Sequence, residues 1–183
     1  INEADIATEL NIGRTPINQA MHRLALEDLI VIMPRKGIFV KPLSYDELEH
    51  IIDCRTINEC HAARRAAIHG DQADLARMRE VLSTAAAFLK AGSVEGFLEA
   101  DKAFHTALSQ ASGNDVLAGL LETLHDRAQR YWFVSLNSAE HMPRVQAEHE
   151  AIFAAIEAGD PESAERAMAA HIASLQSNLT GRF

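Results

Sequence analysis

From Ser44 onward the chain keeps a single period. Apolar residues return every three or four positions, and the stretches break at Gly70-Asp71, Ala91-Gly92, Ser112-Gly113-Asn114 and Glu157–Glu162. That spacing marks one face of an α-helix, and no two-residue alternation of a strand interrupts it. Ser44 with Glu47 three residues later has the pattern of a capping box, so the first of these helices starts there. A chain patterned this way buries its stripes only by packing helices on one another. The expected fold is mainly α, with an antiparallel all-α bundle over residues 43–183.

Several stripes carry polar groups. Phe97, Asp101, Phe104 and Leu108 share a face. His105 follows Asp101 by four residues, a rotation of about 40° on the same helix. Leu48, Ile52, Arg55, Glu59, Ala62 and Ala66 form another face. Val145, His149, Ile152 and Ile156 make a third, and Ala164, Met168, His171 and Leu175 a fourth. Burying a lone carboxylate costs several kcal/mol or keeps it protonated. His149 lies eleven residues before Asp160 and His171 eleven after it. In a helical hairpin both stand about 16 Å from the bend, at one height.

A single histidine on an apolar face is usually a satisfied core residue. Asp101, His105, His149 and His171 together suit a divalent cation, zinc first, with nickel or manganese also compatible. His125 competes for a place, because it lies twelve residues beyond Gly113 as Asp101 lies twelve before. The cleaner stripes favour His149 and His171. His22, His50, His61, His69 and His141 are expected at the surface or at element boundaries. Tyr131 and Trp132 are assigned to core or interface packing, ahead of the alternative that they line the pocket. Cys54 and Cys60, six residues apart, suit neither a zinc knuckle nor a disulfide and are expected as buried or half-buried thiols in a reducing cytoplasm.

Residues 1–42 differ in kind. The net charge is −9. Arg14, Arg23, Arg35, Lys36 and Lys41 balance Glu3, Asp5, Glu9, Glu27 and Asp28 here, so the whole deficit lies in the remainder. Glu3–Leu10 reads as a short helix with Ile6 and Leu10 inward, and Asn11–Gly13 as a turn. Thr15 as cap and Pro16 in the first turn start a second helix. Ile17, Met21 and Leu24 face inward; Asn18, Gln19, His22 and Arg23 face mainly outward. Two apolar strands then flank a basic tip at Pro34-Arg35-Lys36. This is a winged helix-turn-helix.

The run "GRTPINQAMHRLALEDLIVIMPRKGIFV" resembles the winged helix-turn-helix of GntR-family transcription regulators. The resemblance implies that Arg14 and Thr15 hold phosphates and that the exposed side of the second helix, with Gln19 and Arg23, enters the major groove. It implies a wing of Arg35 and Lys36 in which Gly37 permits close approach to the DNA backbone. Gly13 and Asn18 depart from the usual pattern, and Asn18 suits a base contact to adenine. The chain opens on Ile1 without a methionine, so the natural N-terminus and the first helix of such a domain are expected upstream. The domain over residues 1–42 is then partial.

"DKAFHTALSQASGNDVLAGLLETL", "EHEAIFAAIEAGDPESAERAMAAHI" and "CRTINE" resemble the FCD ligand domain of the FadR-like branch of that family. Asn58 stands where an apolar residue is commoner. In metal-binding members the ligands correspond to Asp101, His105, His149 and His171, the same residues that the spacing picks out. The resemblance also makes Arg55 a bidentate grip on an effector carboxylate; a simple Arg55–Glu59 helix pair is the competing account.

The expected function is a ligand-responsive transcription regulator, a homodimer on a near-palindromic operator, tuned by a metal and a small organic acid. A metal-dependent enzyme would need a nucleophile or general base beside the ligands, and none is evident. A pure metal sensor is the other alternative. No apolar run approaches the ~20 residues of a membrane span, so no membrane partner is expected.

Overall fold

The computed structural model describes residues 1–135 and 141–179. The chain divides into two compact units, Ile1–Leu43 and Ser44–Phe183.

In the first unit, α1 (Glu3–Leu10) opens on Asn2, whose side chain accepts the Ala4 N–H at 3.0 Å, and closes on Asn11 in the left-handed region. α2 spans Arg14–Leu26. Its cap is Gly13, which has no side chain to bond the first turn, so Thr15 lies inside the helix and is not the cap. The hairpin β1 (Ile30–Met33) and β2 (Gly37–Val40) pairs antiparallel from Ile30 opposite Val40 to Met33 opposite Gly37. Ile17, Met21, Ile30 and Ile38 form a small core, with Ile6 and Leu24 packed at its edge. Leu10, expected inward, is exposed, because that core ends short of the last turn of α1.

At the wing tip Lys36 N–H donates to Met33 O at 3.1 Å, closing a turn with Pro34 second and Arg35 third. Arg35 has φ +62°. Pro then a positive φ is the type II arrangement, which glycine or asparagine normally takes, so Arg35 bears a cost of about 1–2 kcal/mol.

The second unit is a bundle of α3 (Tyr45–His69), α4 (Gln72–Ala91), α5 (Val94–Ala111), α6 (Asp115–Ser135), α7 (His141–Glu157) and α8 (Pro161–Leu179). The expected end of α6 at Leu136 lies outside the described residues. Ser44 accepts the Glu47 N–H at 3.5 Å, but the Glu47 side chain does not reach back. It accepts instead from Arg127 Nη2 at 2.8 Å and Tyr131 Oη at 3.2 Å. α4 carries the reciprocal box, between Asp71 and Asp74.

α3 is the central helix, packed against α5, α6, α7 and α8, while α4 pairs with α5 and α7. Leu48, Ile52, Arg55, Glu59, Ala62 and Ala66 are all buried along it, as their spacing predicts. Cys60 is buried and its thiol is pushed up to about 11, by burial first and then by Glu165 and Glu59. Cys54 is exposed, a correction to the expectation that both thiols are buried or half-buried: it lies off the α3 stripe. No described helix is long and apolar enough to cross a membrane.

Candidate functional site

Each helix of the bundle except α4 sends a polar side chain into the centre. α3 supplies Arg55 and Glu59, α5 Asp101 and His105, α6 His125, α7 His149, α8 His171, and all are buried. The ring centroids of His149 and His171 lie 4.7 Å apart, and that of His105 lies 5.1 Å from His149 and 5.3 Å from His171. One ring nitrogen from each of the three falls within 4.8 Å of the others. The Phe104 ring stacks on His149 at 4.4 Å and holds it against the cluster. Asp101 stands at the edge, its Oδ1 3.6 Å from His149 Nε2.

A second group meets at His105. Glu59 Oε2 lies 2.6 Å from His105 Nδ1, and Glu59 Oε1 lies 3.1 Å from His125 Nε2. The cleaner stripes favour other histidines over His125, yet it is buried, with its ring centroid 4.8 Å from that of His105. Height along a helix does not fix which way a residue turns, and α6 rotates this one inward. His141, expected at a boundary, is also buried, on the same face of α7 as Val145 and His149. His22, His50, His61 and His69 are exposed.

Arg55 is fully buried and its Nε pairs with Glu59 Oε1. The guanidinium lies 4.6 Å over the Trp132 ring, a cation–π contact that brings Trp132 into the site instead of leaving it to packing alone. Both terminal nitrogens, Nη1 and Nη2, are buried without a hydrogen-bond partner. So are His149 Nε2, His105 Nε2 and both ring nitrogens of His125. Each such group costs about 1–3 kcal/mol when left unpaired.

The surroundings of these groups keep the imidazoles of His125, His149 and His171 neutral and Glu59 ionised. Burial raises the Glu59 carboxyl, but Arg55, His105 and His125 outweigh it and hold it well below the carboxylate range. Burial, with His171 and His105 nearby, drives His149 well below its ordinary value. Burial likewise lowers His171 and His125, against the pull of Glu148 on the first and Glu59 on the second. Neutral imidazoles with unpartnered nitrogens beside a carboxylate are a donor set that fits a borderline divalent ion. The sequence carries no sign of Glu148, whose Oε2 meets His171 Nδ1 at 2.8 Å, because it lies off its helix's apolar stripe.

The DNA-facing candidates lie in the first unit. Arg14, Thr15, Asn18, Gln19 and Arg23 are exposed along α2, and Arg35, Lys36 and Gly37 are exposed at the wing. Arg14, Asn18 and Gly37 border one open cleft. Arg23 Nε pairs with Glu27 at 2.8 Å on the surface. Gly37 has a φ of 106°. A side chain there would meet no atom within 4 Å. Backbone conformation and not crowding therefore calls for glycine.

The FCD domain profile matches residues 50–174. The profile of bacterial regulatory proteins, gntR family, matches residues 1–40. Over 179 residues the chain is 25% identical to the HTH-type transcriptional repressor RspR of Escherichia coli (strain K12), covering 98% of this chain and 78% of that protein. It is 28% identical over 205 residues to the HTH-type transcriptional regulator LutR of Bacillus subtilis (strain 168), covering 97% and 90%. The solved structure of E. coli McbR/YncC has the same fold, with a TM-score of 0.89 at 20% identity over 100% of this chain and 87% of that one.

Proposed function

This chain belongs to the GntR family of bacterial regulatory proteins and carries an FCD domain, and from that premise we propose that a divalent cation and a small carboxylate together set its hold on operator DNA. It is a DNA-binding transcription regulator and not an enzyme. Asp101, His105, His149 and His171 would hold the ion, zinc first by donor chemistry, with nickel or manganese also compatible. The ion supplies positive charge and open coordination positions.

The observation that carries the reading is Arg55. A buried guanidinium with Nε committed to Glu59 and both terminal nitrogens unpartnered is a fork awaiting an acceptor. A carboxylate matches that fork in two parallel bonds, and Trp132 fixes its plane. Effector binding shifts the operator equilibrium only through different affinity in the two arrangements of the DNA-binding heads. In this reading two copies act as a dimer in the cytoplasm. Arg14, Thr15 and the wing residues Arg35, Lys36 and Gly37 meet the DNA backbone, and Asn18, Gln19 and Arg23 face the groove.

The test is a thermal-shift screen of small mono-, di- and hydroxycarboxylic acids against zinc-loaded and chelator-stripped protein, followed by calorimetry. An acid that stabilises only the loaded form is expected. Its affinity should fall about ten- to over a hundredfold in Arg55→Lys, which keeps the charge and loses the fork. His149→Ala and His171→Ala should lose the ion by elemental analysis. Operator binding that follows zinc alone, with no acid active, would instead make this a metal sensor.

A further inference from the structure

We propose that Glu148 and Glu59 are the positioning residues of the cation site, each serving as acceptor for the Nδ1–H of one histidine so that Nε2 of His171 and of His105 is the nitrogen left for the ion. The inference rests on the reading that the histidine cluster holds a divalent cation. It is carried by a pattern that occurs twice.

On α7, Arg144 and Glu148 are four residues apart, with Arg144 Nε 3.7 Å from Glu148 Oε1. The other oxygen, Oε2, meets His171 Nδ1 at 2.8 Å. On α3, Arg55 and Glu59 have the same separation, and Arg55 Nε pairs with Glu59 Oε1. Again the other oxygen, Oε2, approaches the Nδ1 of a histidine, here His105 at 2.6 Å. Each series therefore runs arginine, glutamate, histidine, with Oε1 toward the arginine and Oε2 toward the histidine; Glu59 Oε1 also lies 3.1 Å from His125 Nε2. At His105 the approach is close but out of hydrogen-bond line. Neither atom has a hydrogen-bond partner, so none competes for either.

The chemistry of imidazole makes the pattern matter. A neutral ring has one N–H and one lone pair, and the partner of one nitrogen decides what the other can do. A carboxylate at Nδ1 keeps the proton there, aims the Nε2 lone pair inward, and makes it a better donor to a metal.

The two series differ in one respect. Arg55 is also the fork proposed for the effector, so a carboxylate bound there acts on His105 through Glu59. Arg144 has no such second duty, and Glu148 serves as the control.

The experiment uses the whole chain with zinc as the only ligand. Dissociation constants are measured by chelator competition for wild type, Glu148→Ala, Glu148→Gln, Glu59→Gln and His149→Ala. Long-range ¹⁵N spectra of the imidazoles report the tautomers. Glu148 is half-buried, so Glu148→Ala should fold as wild type does, which the metal-free melting curve checks. The expected result is a ten- to hundredfold weaker constant in Glu148→Ala, a smaller loss in Glu148→Gln, and protons at Nδ1 of His105 and His171 in the loaded wild type. Wild-type affinity in Glu148→Ala, or protons at Nε2, would overturn the proposal. A loss in Glu59→Gln as complete as in His149→Ala would make Glu59 a ligand and overturn its half. If wild type binds no zinc, the reading of a zinc-type cation site itself falls, whatever the Glu148 and Glu59 variants do.

Discussion

Replacing Glu59 by leucine should be among the most damaging single changes in the bundle. Arg55 is 0% and Glu59 1% exposed, so neither charge has water to fall back on. Glu59→Leu leaves a buried guanidinium with no counter-ion, and its two terminal nitrogens are already without partners. Breaking a buried pair from one side costs about 3–5 kcal/mol. A chain of this size loses about 2–4 °C of melting temperature per kcal/mol, which gives a drop of about 6–20 °C. The total stability of a domain is about 5–15 kcal/mol, so the variant should still fold at low temperature. Arg55→Met combined with Glu59→Leu removes both charges and fills similar volume, and should recover most of the loss. The assay is urea and thermal unfolding of chelator-treated protein at pH 7. If Glu59→Leu lies within about 1 kcal/mol of wild type, or the double variant is no better than the single, the pair does not carry the charge balance argued for it.

Three further outcomes follow from other parts of the molecule. Arg14→Ala should weaken DNA binding across sequences and lower the slope of log affinity against log salt by about one, as a phosphate contact does; lost discrimination at one base pair with an unchanged slope would make Arg14 a base reader. Metal-free protein should lose stability as pH falls below 6.5, because folded His125, His149 and His171 lie below that ordinary value and the unfolded chain takes up protons first. Glu59, held below its ordinary 4.5, adds to the loss at lower pH, and a flat urea midpoint from pH 7.5 to 5 would contradict the histidine sign. Gly96→Ala should cost about 1–3 kcal/mol despite the better helix propensity, since the added Cβ would overlap the Phe88 ring; an unchanged urea midpoint would mean that the ring swings aside freely.

The helices are legible because each buried stripe keeps one period for several turns. The level placement of His149 and His171 is legible because a tight hairpin fixes height by counting residues from its bend. Rotation about a helix axis is not fixed that way, which is why counting does not select His125 on α6. His141 has a readable signal, since it precedes Val145 and His149 at four-residue steps. Glu148 has none: its role depends on a ring from another helix, and a half-buried glutamate on a charged face looks like any other. Thr15 reads as a cap because a threonine before a proline has the right chemistry, while the backbone places the cap two residues earlier, on a glycine.

α3 is one unbroken rod of 25 residues whose first turn begins where the second unit begins. Arg55 lies ten residues beyond Tyr45 on it. At the rise of an α-helix that separation is about 15 Å along the axis. Such a rod turns a small displacement at its middle into a larger one at its end. A tilt of about 5° pivoting at Arg55 carries Tyr45 sideways by about 1.3 Å, the scale at which packed helices switch between neighbouring seats. A rigid helix loses little of that motion to bending over so short a span. The side chain that would grip the effector is thus mounted on the same lever that starts where the DNA-binding unit ends.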